Sequence, residues 1–334
     1  MKTYSAKEAP LQVFGVPFFA QTKLFQRLSP EFRQEMPKLQ NLGRRCSGAR
    51  VGFRTDAREL TVTVRLETLG VDVGMGLYGC QSAHVMVGPR QNSAYVAIVN
   101  PPDYQTKVFS KTIALSGQMQ DVTVWLPKNE VIEDLQISVP DEASVEPPTP
   151  YRYGTALYYG SSITEGAGSA GSFTPYSAVL SRLLDLDYYN FGFSGSAGGE
   201  LIMADYISTI DFNLFICDYD HNAPDVEFLR NTHEPFFLRF REHRPETPVI
   251  LMSCPDFEHF PDAADRRAVI RQTWENAVAR GDQNVYFLDG ESFFGDTDRP
   301  LCTTDTVHPN DLGHYRMAQA ILPTLQHILS KRTG

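Results

Sequence analysis

The spacing of apolar residues changes near residue 140, and one packed layer cannot accommodate both patterns. Upstream, apolar and polar residues alternate: Leu60, Val62, Val64 and Leu66 fall on one side, with Thr61, Thr63 and Arg65 on the other. Val122, Val124 and Leu126 repeat the pattern. Successive side chains of a strand point to opposite faces, so alternation marks strands with one buried and one wetted face, as in antiparallel sheets. Turn-rich stretches such as residues 87–93, VGPRQNS, separate these segments, and a small β-sandwich of jelly-roll type is the expected result. The first forty residues carry a weaker pattern, in part helical.

Downstream, five short runs are nearly all apolar: 156–160, 187–193, 213–220, 248–253 and 285–290. Such runs fit strands covered on both faces. Helical spacing fills the gaps. Thr174 and Pro175 are read as N-cap and first turn of a helix that buries Tyr176, Val179, Leu180, Leu183 and Leu184. A second helix is expected over residues 263–280, stopping before Gly281. A last one starts at Asn310 or Asp311, turns Tyr315, Ala318, Leu322 and Leu325 inward, and kinks at Pro323. Alternating strands and helices predict a parallel, doubly wound α/β sheet whose sites gather at the carboxyl ends of its strands.

Residues 139–154 contain four prolines and are read as an extended linker. The expected organisation is therefore a β-sandwich over 1–140, a linker over 141–153 and an α/β domain over 154–334. A length of 334 residues suits two domains.

A net charge of −10 argues against a nucleic-acid partner, which wants a basic face. The longest apolar runs are a few residues, too short to span a membrane. The start, MKTYSAKEAP, has no apolar core of a secretory signal. Cys46, Cys80, Cys217, Cys254 and Cys302 are scattered, with no C-x-x-C pair, and read as buried thiols of a cytoplasmic protein. No metal cluster or cofactor motif is visible, and oligomeric state is left open.

Residues 157–168, LYYGSSITEGAG, end the first apolar run on a glycine and two hydroxyls. A phosphate-binding P-loop would need a lysine that is missing. A plain turn and a nucleophilic serine remain, and an unassisted hydroxyl is a weak nucleophile. A base is available in residues 305–311, DTVHPND, where Asp305 precedes His308 by three positions. A carboxylate there can orient the ring and stabilise its cation while the other nitrogen faces a serine. Acyl transfer also needs oxyanion donors. Gly195, past the second strand, can offer an unobstructed N–H. The spacing of Gly192, Gly195 and Gly198 only loosely echoes a dinucleotide loop and follows the wrong strand. Asn222, past the third strand, reads equally as a side-chain donor or as the cap of the next helix.

Serine, glycine, asparagine and aspartate–histidine, in that order and at strand ends, resemble the four blocks of the SGNH/GDSL hydrolase superfamily over residues 151 to about 330. In Gly160-Ser161-Ser162-Ile163-Thr164, Ser162 matches the nucleophile and Ser161 replaces the usual aspartate. Gly195 and Asn222 match the oxyanion residues, and Asp305 and His308 complete the triad. A bacterial subgroup of two-domain esterases carries a Gly-x-Asp-Leu-Tyr motif in a preceding sandwich. Here Gly74, Leu77 and Tyr78 match it, with Gly76 at the aspartate position.

The resemblance implies a flavodoxin-like fold and a serine esterase working without metal or cofactor. Its oxyanion hole would combine the N–H groups of Ser162 and Gly195 with the Asn222 side chain. Small-acyl removal from a carbohydrate, acetyl foremost, fits the two-domain layout, with Tyr78, Tyr95, Tyr104 and Trp125 as conceivable sugar-stacking residues against a reading as ordinary sheet aromatics. The alternatives are a lipid or lysophospholipid acyl hydrolase and a non-catalytic carbohydrate-binding protein.

Overall fold

The computed structural model describes residues 1–71, 75–255 and 258–331. The chain forms two compact units. One comprises Met1–Arg152, Ser169–Thr174 and Ser181–Tyr189; the other comprises Tyr153–Gly168, Pro175–Leu180 and the described residues of Asn190–Gly334.

The first unit is a β-sandwich. Its strands are β1 (Lys2–Ser5), β2 (Gln12–Phe14), β3 (Arg50–Thr55), β4 (Glu59–Leu66), β5 (Ala83–Val87), β6 (Ala94–Val99), β7 (Val108–Ala114), β8 (Gln120–Trp125), β9 (Ile132–Val139) and β10 (Val145–Glu146). Short helices α1 (Phe19–Thr22), α2 (Pro30–Glu35) and α3 (Leu77–Cys80) punctuate them. Among the described residues one sheet runs β1-β9-β4-β7 and the other β10-β3-β8-β5-β6, with β2 beside β3. The alternation in β4 is realised: Leu60, Val62, Val64 and Leu66 are buried. They share a core with Val51, Phe53, Val85 and Val124 of the opposite sheet. Each such side chain contributes about 1.5–3 kcal/mol on burial. The proline-rich segment opens with a turn, the Ala143 N–H donating to the Pro140 carbonyl at 3.0 Å, and then β10 pairs antiparallel with β3.

Arg50 sits inside this unit with its side chain fully buried. Its Nε donates to Tyr151 Oη at 2.7 Å and Nη1 to the Gly48 carbonyl at 2.9 Å, while Nη2 pairs with Asp187. Trp125 lies against the same guanidinium, 5.3 Å from ring centroid to Cζ, and is 2 % exposed. Trp125 is therefore a core residue and not a sugar platform; Tyr78, Tyr95 and Tyr104 are exposed. Leu77 and Tyr78 open α3, whereas Gly74 lies outside the described residues.

The second unit holds β11 (Tyr153–Gly160), β13 (Leu214–Asp218), β14 (Val249–Met252), β15 (Val285–Leu288) and, from Asn190 on, the end of β12 (Leu186–Gly192). Helices α4 (Ser162–Glu165), α5 (Tyr176–Leu184), α6 (Leu201–Ser208), α7 (Val226–His243), α8 (Ala263–Ala279) and α9 (Asp311–Ser330) intervene. Among the described residues the sheet order is β12-β11-β13-β14-β15, the flavodoxin-like arrangement of a parallel sheet. From β11 the chain steps to one side and then crosses to the other, so the sheet changes direction between β11 and β13. Ligands of such sheets bind beyond the strand ends at that switch point. Ser162 follows β11, and Asn222 follows β13.

Two local expectations need correction. The Thr174 hydroxyl both donates to and accepts from the Gly171 backbone, so α5 starts without that cap. Tyr315 is 51 % exposed; the inward face of α9 is His314, Met317, Ala318, Ile321 and Leu325. Pro323 lies within α9, which continues to Ser330.

Candidate active site

The two hydroxyls after Gly160 are used differently. Ser161 is fully buried and caps α4, its Oγ accepting the Ile163 N–H at 3.2 Å. Ser162, half-buried, begins the helix, and its Oγ lies 2.9 Å from His308 Nε2. Among the described residues the Ser162 N–H has no protein acceptor, as expected of the first amide of a helix.

His308 is held by its own loop. Asp305 Oδ2 is 2.7 Å from His308 Nδ1. Asp305 Oδ1 accepts the N–H groups of His308, at 2.7 Å, and Val307, at 3.1 Å. One carboxylate thus folds the turn and orients the ring. Burial pushes Asp305 upward, but the two bonds from His308 and the Val307 N–H outweigh it and hold the carboxyl below its ordinary value. With the Nδ1 proton donated to Asp305, Nε2 is left to accept from Ser162. The loop closes where Thr303 bridges Pro309 and the Thr304 N–H donates to the His308 carbonyl at 2.9 Å. Asn310 then caps α9, accepting from Leu312 and Gly313.

Behind the loop, buried His314 accepts the Tyr176 N–H on Nδ1 at 3.3 Å. That leaves Nε2 to donate to the Ala167 carbonyl at 3.1 Å. The start of α9 is thereby tied to the chain leaving α4.

Gly195 and Asn222 meet through Phe193. The Asn222 Nδ2 donates to the Phe193 carbonyl at 2.9 Å, which leaves one further amide hydrogen on that nitrogen. Its reading as a helix cap is overturned, because Asp225 caps α7 by accepting the Phe228 N–H at 2.7 Å. Gly195 is exposed at φ +62°, a left-handed conformation that glycine adopts without steric cost, and open space lies where a Cβ would be. Its N–H has no protein acceptor among the described residues.

The segment bearing Gly195 is fastened to the turn around Ser162 at three points. The Phe193 N–H donates to the Gly160 carbonyl at 2.9 Å. Asn190 Nδ2 donates to the Thr164 carbonyl at 2.7 Å. Buried Glu165 accepts both the N–H and the hydroxyl of Ser194. Sequence reasoning missed Glu165, Asn190 and His314 altogether. It also missed Asp218, whose only sequence signal is an acid closing an otherwise apolar strand, LFICD.

The comparisons with known proteins bear on both units. Residues 155–326 match the model of the GDSL-like lipase/acylhydrolase family. Residues 1–145 match GxDLY, the N-terminus of SGNH-hydrolase-type esterases. Among solved structures, a protein assigned as a GDSL-like lipase from Bacteroides ovatus aligns with a TM-score of 0.88 at 22% identity, covering 98% of each chain. The salicylyl-acyltransferase SsfX3 of a tetracycline biosynthetic pathway aligns at 0.77 and 20% identity, covering 98% of this chain and 97% of its own. A family two carbohydrate esterase from Cellvibrio japonicus aligns at 0.63 and 15% identity, covering 98% of each. At these identities the likeness is one of fold. Among curated proteins no sequence matches.

Proposed function

Because the chain belongs to the GDSL-like lipase/acylhydrolase family, we propose that it is a serine esterase that removes small acyl groups, acetyl foremost, from a carbohydrate ester. Ser162 is the nucleophile, His308 the general base and Asp305 the group that orients His308. His308 Nε2 takes the Ser162 proton as Oγ attacks the ester carbonyl carbon. The N–H groups of Ser162 and Gly195 and the Asn222 amide stabilise the tetrahedral oxyanion. The intermediate collapses with cleavage of the bond to the sugar oxygen, which takes the proton from His308 and leaves as the free hydroxyl, and an acyl-serine remains. A water molecule, deprotonated by His308, then attacks the acyl carbon, releases the carboxylic acid and restores Ser162.

The observation that supports this reading most is the chain of hydrogen bonds from Ser162 Oγ through both His308 nitrogens to Asp305. For the substrate, support comes from the likeness in fold to family two carbohydrate esterases. Five free, buried cysteines favour a reducing compartment, the cytoplasm. Among the described residues no helix is long and apolar enough to cross a membrane.

The test is acetate release from a panel of acetylated oligosaccharides, alongside 4-nitrophenyl esters from acetate to octanoate, with Ser162→Ala as control. Sugar deacetylation should exceed release of long acyl chains. Preference for octanoate would favour a lipid acyl hydrolase, and turnover surviving in Ser162→Ala would remove the nucleophile assignment.

A further inference from the structure

We propose that Asp218 is a positioning residue for the nucleophile turn: its carboxylate, under Gly160, holds Thr164 and through it the backbone that carries Ser162. The inference rests on the reading of Ser162 as nucleophile and extends it to a group that touches no substrate.

Asp218 ends β13 and is buried. One carboxylate oxygen bonds the Thr164 hydroxyl, and the other accepts from Tyr176 Oη at 2.8 Å. Thr164 lies in α4, two positions after Ser162, and its carbonyl is fixed by Asn190. Only glycine fits above this group, since a Cβ at position 160 would fall on the Asp218 carboxylate and the Thr164 hydroxyl. The last residue of β11, the nucleophile turn and the start of α5 therefore converge on one carboxyl.

The protonation state of Asp218 changes what this convergence does. An ionised carboxylate only accepts, so Thr164 and Tyr176 both donate to it. A protonated carboxyl must donate to one of them, and that hydroxyl must then turn its own hydrogen away. Burial pushes the Asp218 carboxyl up to about 7, against the pull of Thr164 and Tyr176. Asp220 pushes it further up, and His221 pulls it down. The other titratable neighbours, Cys217 and Tyr158, act on the same cluster, Cys217 feeling Asp218 and Tyr158 acting through Tyr176. Asp220 differs in having backbone donors, His221 N–H at 3.0 Å and Cys254 N–H at 2.9 Å. Proton uptake by Asp218 thus loosens the support of Ser162 near neutrality.

The experiment compares wild type with Asp218→Asn, Thr164→Val and Tyr176→Phe, reading kcat and KM on 4-nitrophenyl acetate between about pH 5 and 9. Melting curves check folding. In Asp218→Asn kcat should fall about tenfold, the size of one lost hydrogen bond, with KM within about twofold. The acid limb of log kcat/KM should lose the part that Asp218 contributes near pH 7. Thr164→Val should reproduce the kcat loss, and Tyr176→Phe should show less of it.

A folded Asp218→Asn protein with wild-type kcat and an unaltered acid limb would overturn the proposal. A raised KM at unchanged kcat would also overturn it, by making Asp218 a binding group. Should Asp218→Asn fail to fold, an unchanged kcat in Thr164→Val has the same force. Turnover surviving in Ser162→Ala overturns both readings, whereas its loss beside an unaltered Asp218→Asn overturns this one alone.

Discussion

Ser162 Oγ lies 2.9 Å from His308 Nε2, although 146 positions of chain separate the two residues. The approach is a consequence of the sheet. Ser162 leaves the end of β11 at the switch point, and His308 sits on the turn that delivers the chain into α9. Neither residue can act alone in acyl transfer, since the hydroxyl needs a base and the imidazole needs an orienting partner.

Asp305 holds its own loop and, in the proposed mechanism, also orients His308, and the choice of substitution distinguishes the two. Asparagine keeps an acceptor for the Val307 and His308 amides but cannot stabilise an imidazolium. Asp305→Asn should therefore lower kcat by about 10²–10⁴-fold with little change in KM. Asp305→Ala should add a loss of loop order, seen as faster amide exchange at Val307 and His308. Equal kcat in wild type and Asp305→Asn would remove Asp305 from the mechanism.

Asn222 is expected to act on the oxyanion and also to anchor the Phe193 carbonyl. Replacing it with alanine should cost about 10²–10³-fold in kcat, the usual range for one oxyanion donor. Phe193 keeps the Ser196 and Ala197 amides as donors, so the fold should survive. A melting temperature close to wild type with collapsed kcat is the expected pair of readings.

The sequence made some of this legible and not the rest, for physical reasons. Period-two alternation in β4 and unbroken apolar runs in β11 and β13 report burial directly, so sheet type and order of elements could be read from them. Asp305 and His308 are near in sequence, and their joint loop was readable from spacing. The ambiguity of Asn222 was resolved only by Asp225, a better-placed cap three residues on. Trp125 seemed a possible sugar platform because nothing local shows that Arg50, from another strand, packs against it. Asp218 was invisible because its partners, Thr164 and Tyr176, come from different helices.

The buried pair of Arg50 and Asp187 should be sensitive to loss of one member. Asp187→Ala leaves a fully buried guanidinium with Tyr151 and the Gly48 carbonyl but without its counter-charge. The expected cost is about 3–5 kcal/mol of unfolding free energy, mostly the penalty of an uncompensated buried charge. Denaturant unfolding of the two proteins measures it. A loss under about 1 kcal/mol would mean that the aromatic rings and remaining acceptors suffice.

His233 gives the protein a stability that depends on pH. It is buried on α7, with Nδ1 2.8 Å from Thr273 Oγ1 of α8 and its ring stacked 5.7 Å from that of Tyr219. Burial lowers its pKa from 6.5 to about 4, opposed by the charge of Glu234. In the unfolded chain the ring binds a proton near its ordinary pKa, while the folded chain resists it down to about 4. Between those values the unfolded state holds more protons, so stability rises with pH across the window and falls as the solution is acidified through it. A neutral residue of similar size, as in His233→Gln, should lie below wild type at pH 7 because it loses the stacking. It should also show a flatter dependence of unfolding free energy between about pH 4 and 6.5. Urea unfolding at a series of pH values reads both effects, and parallel curves for the two proteins would show that His233 is not the group that titrates.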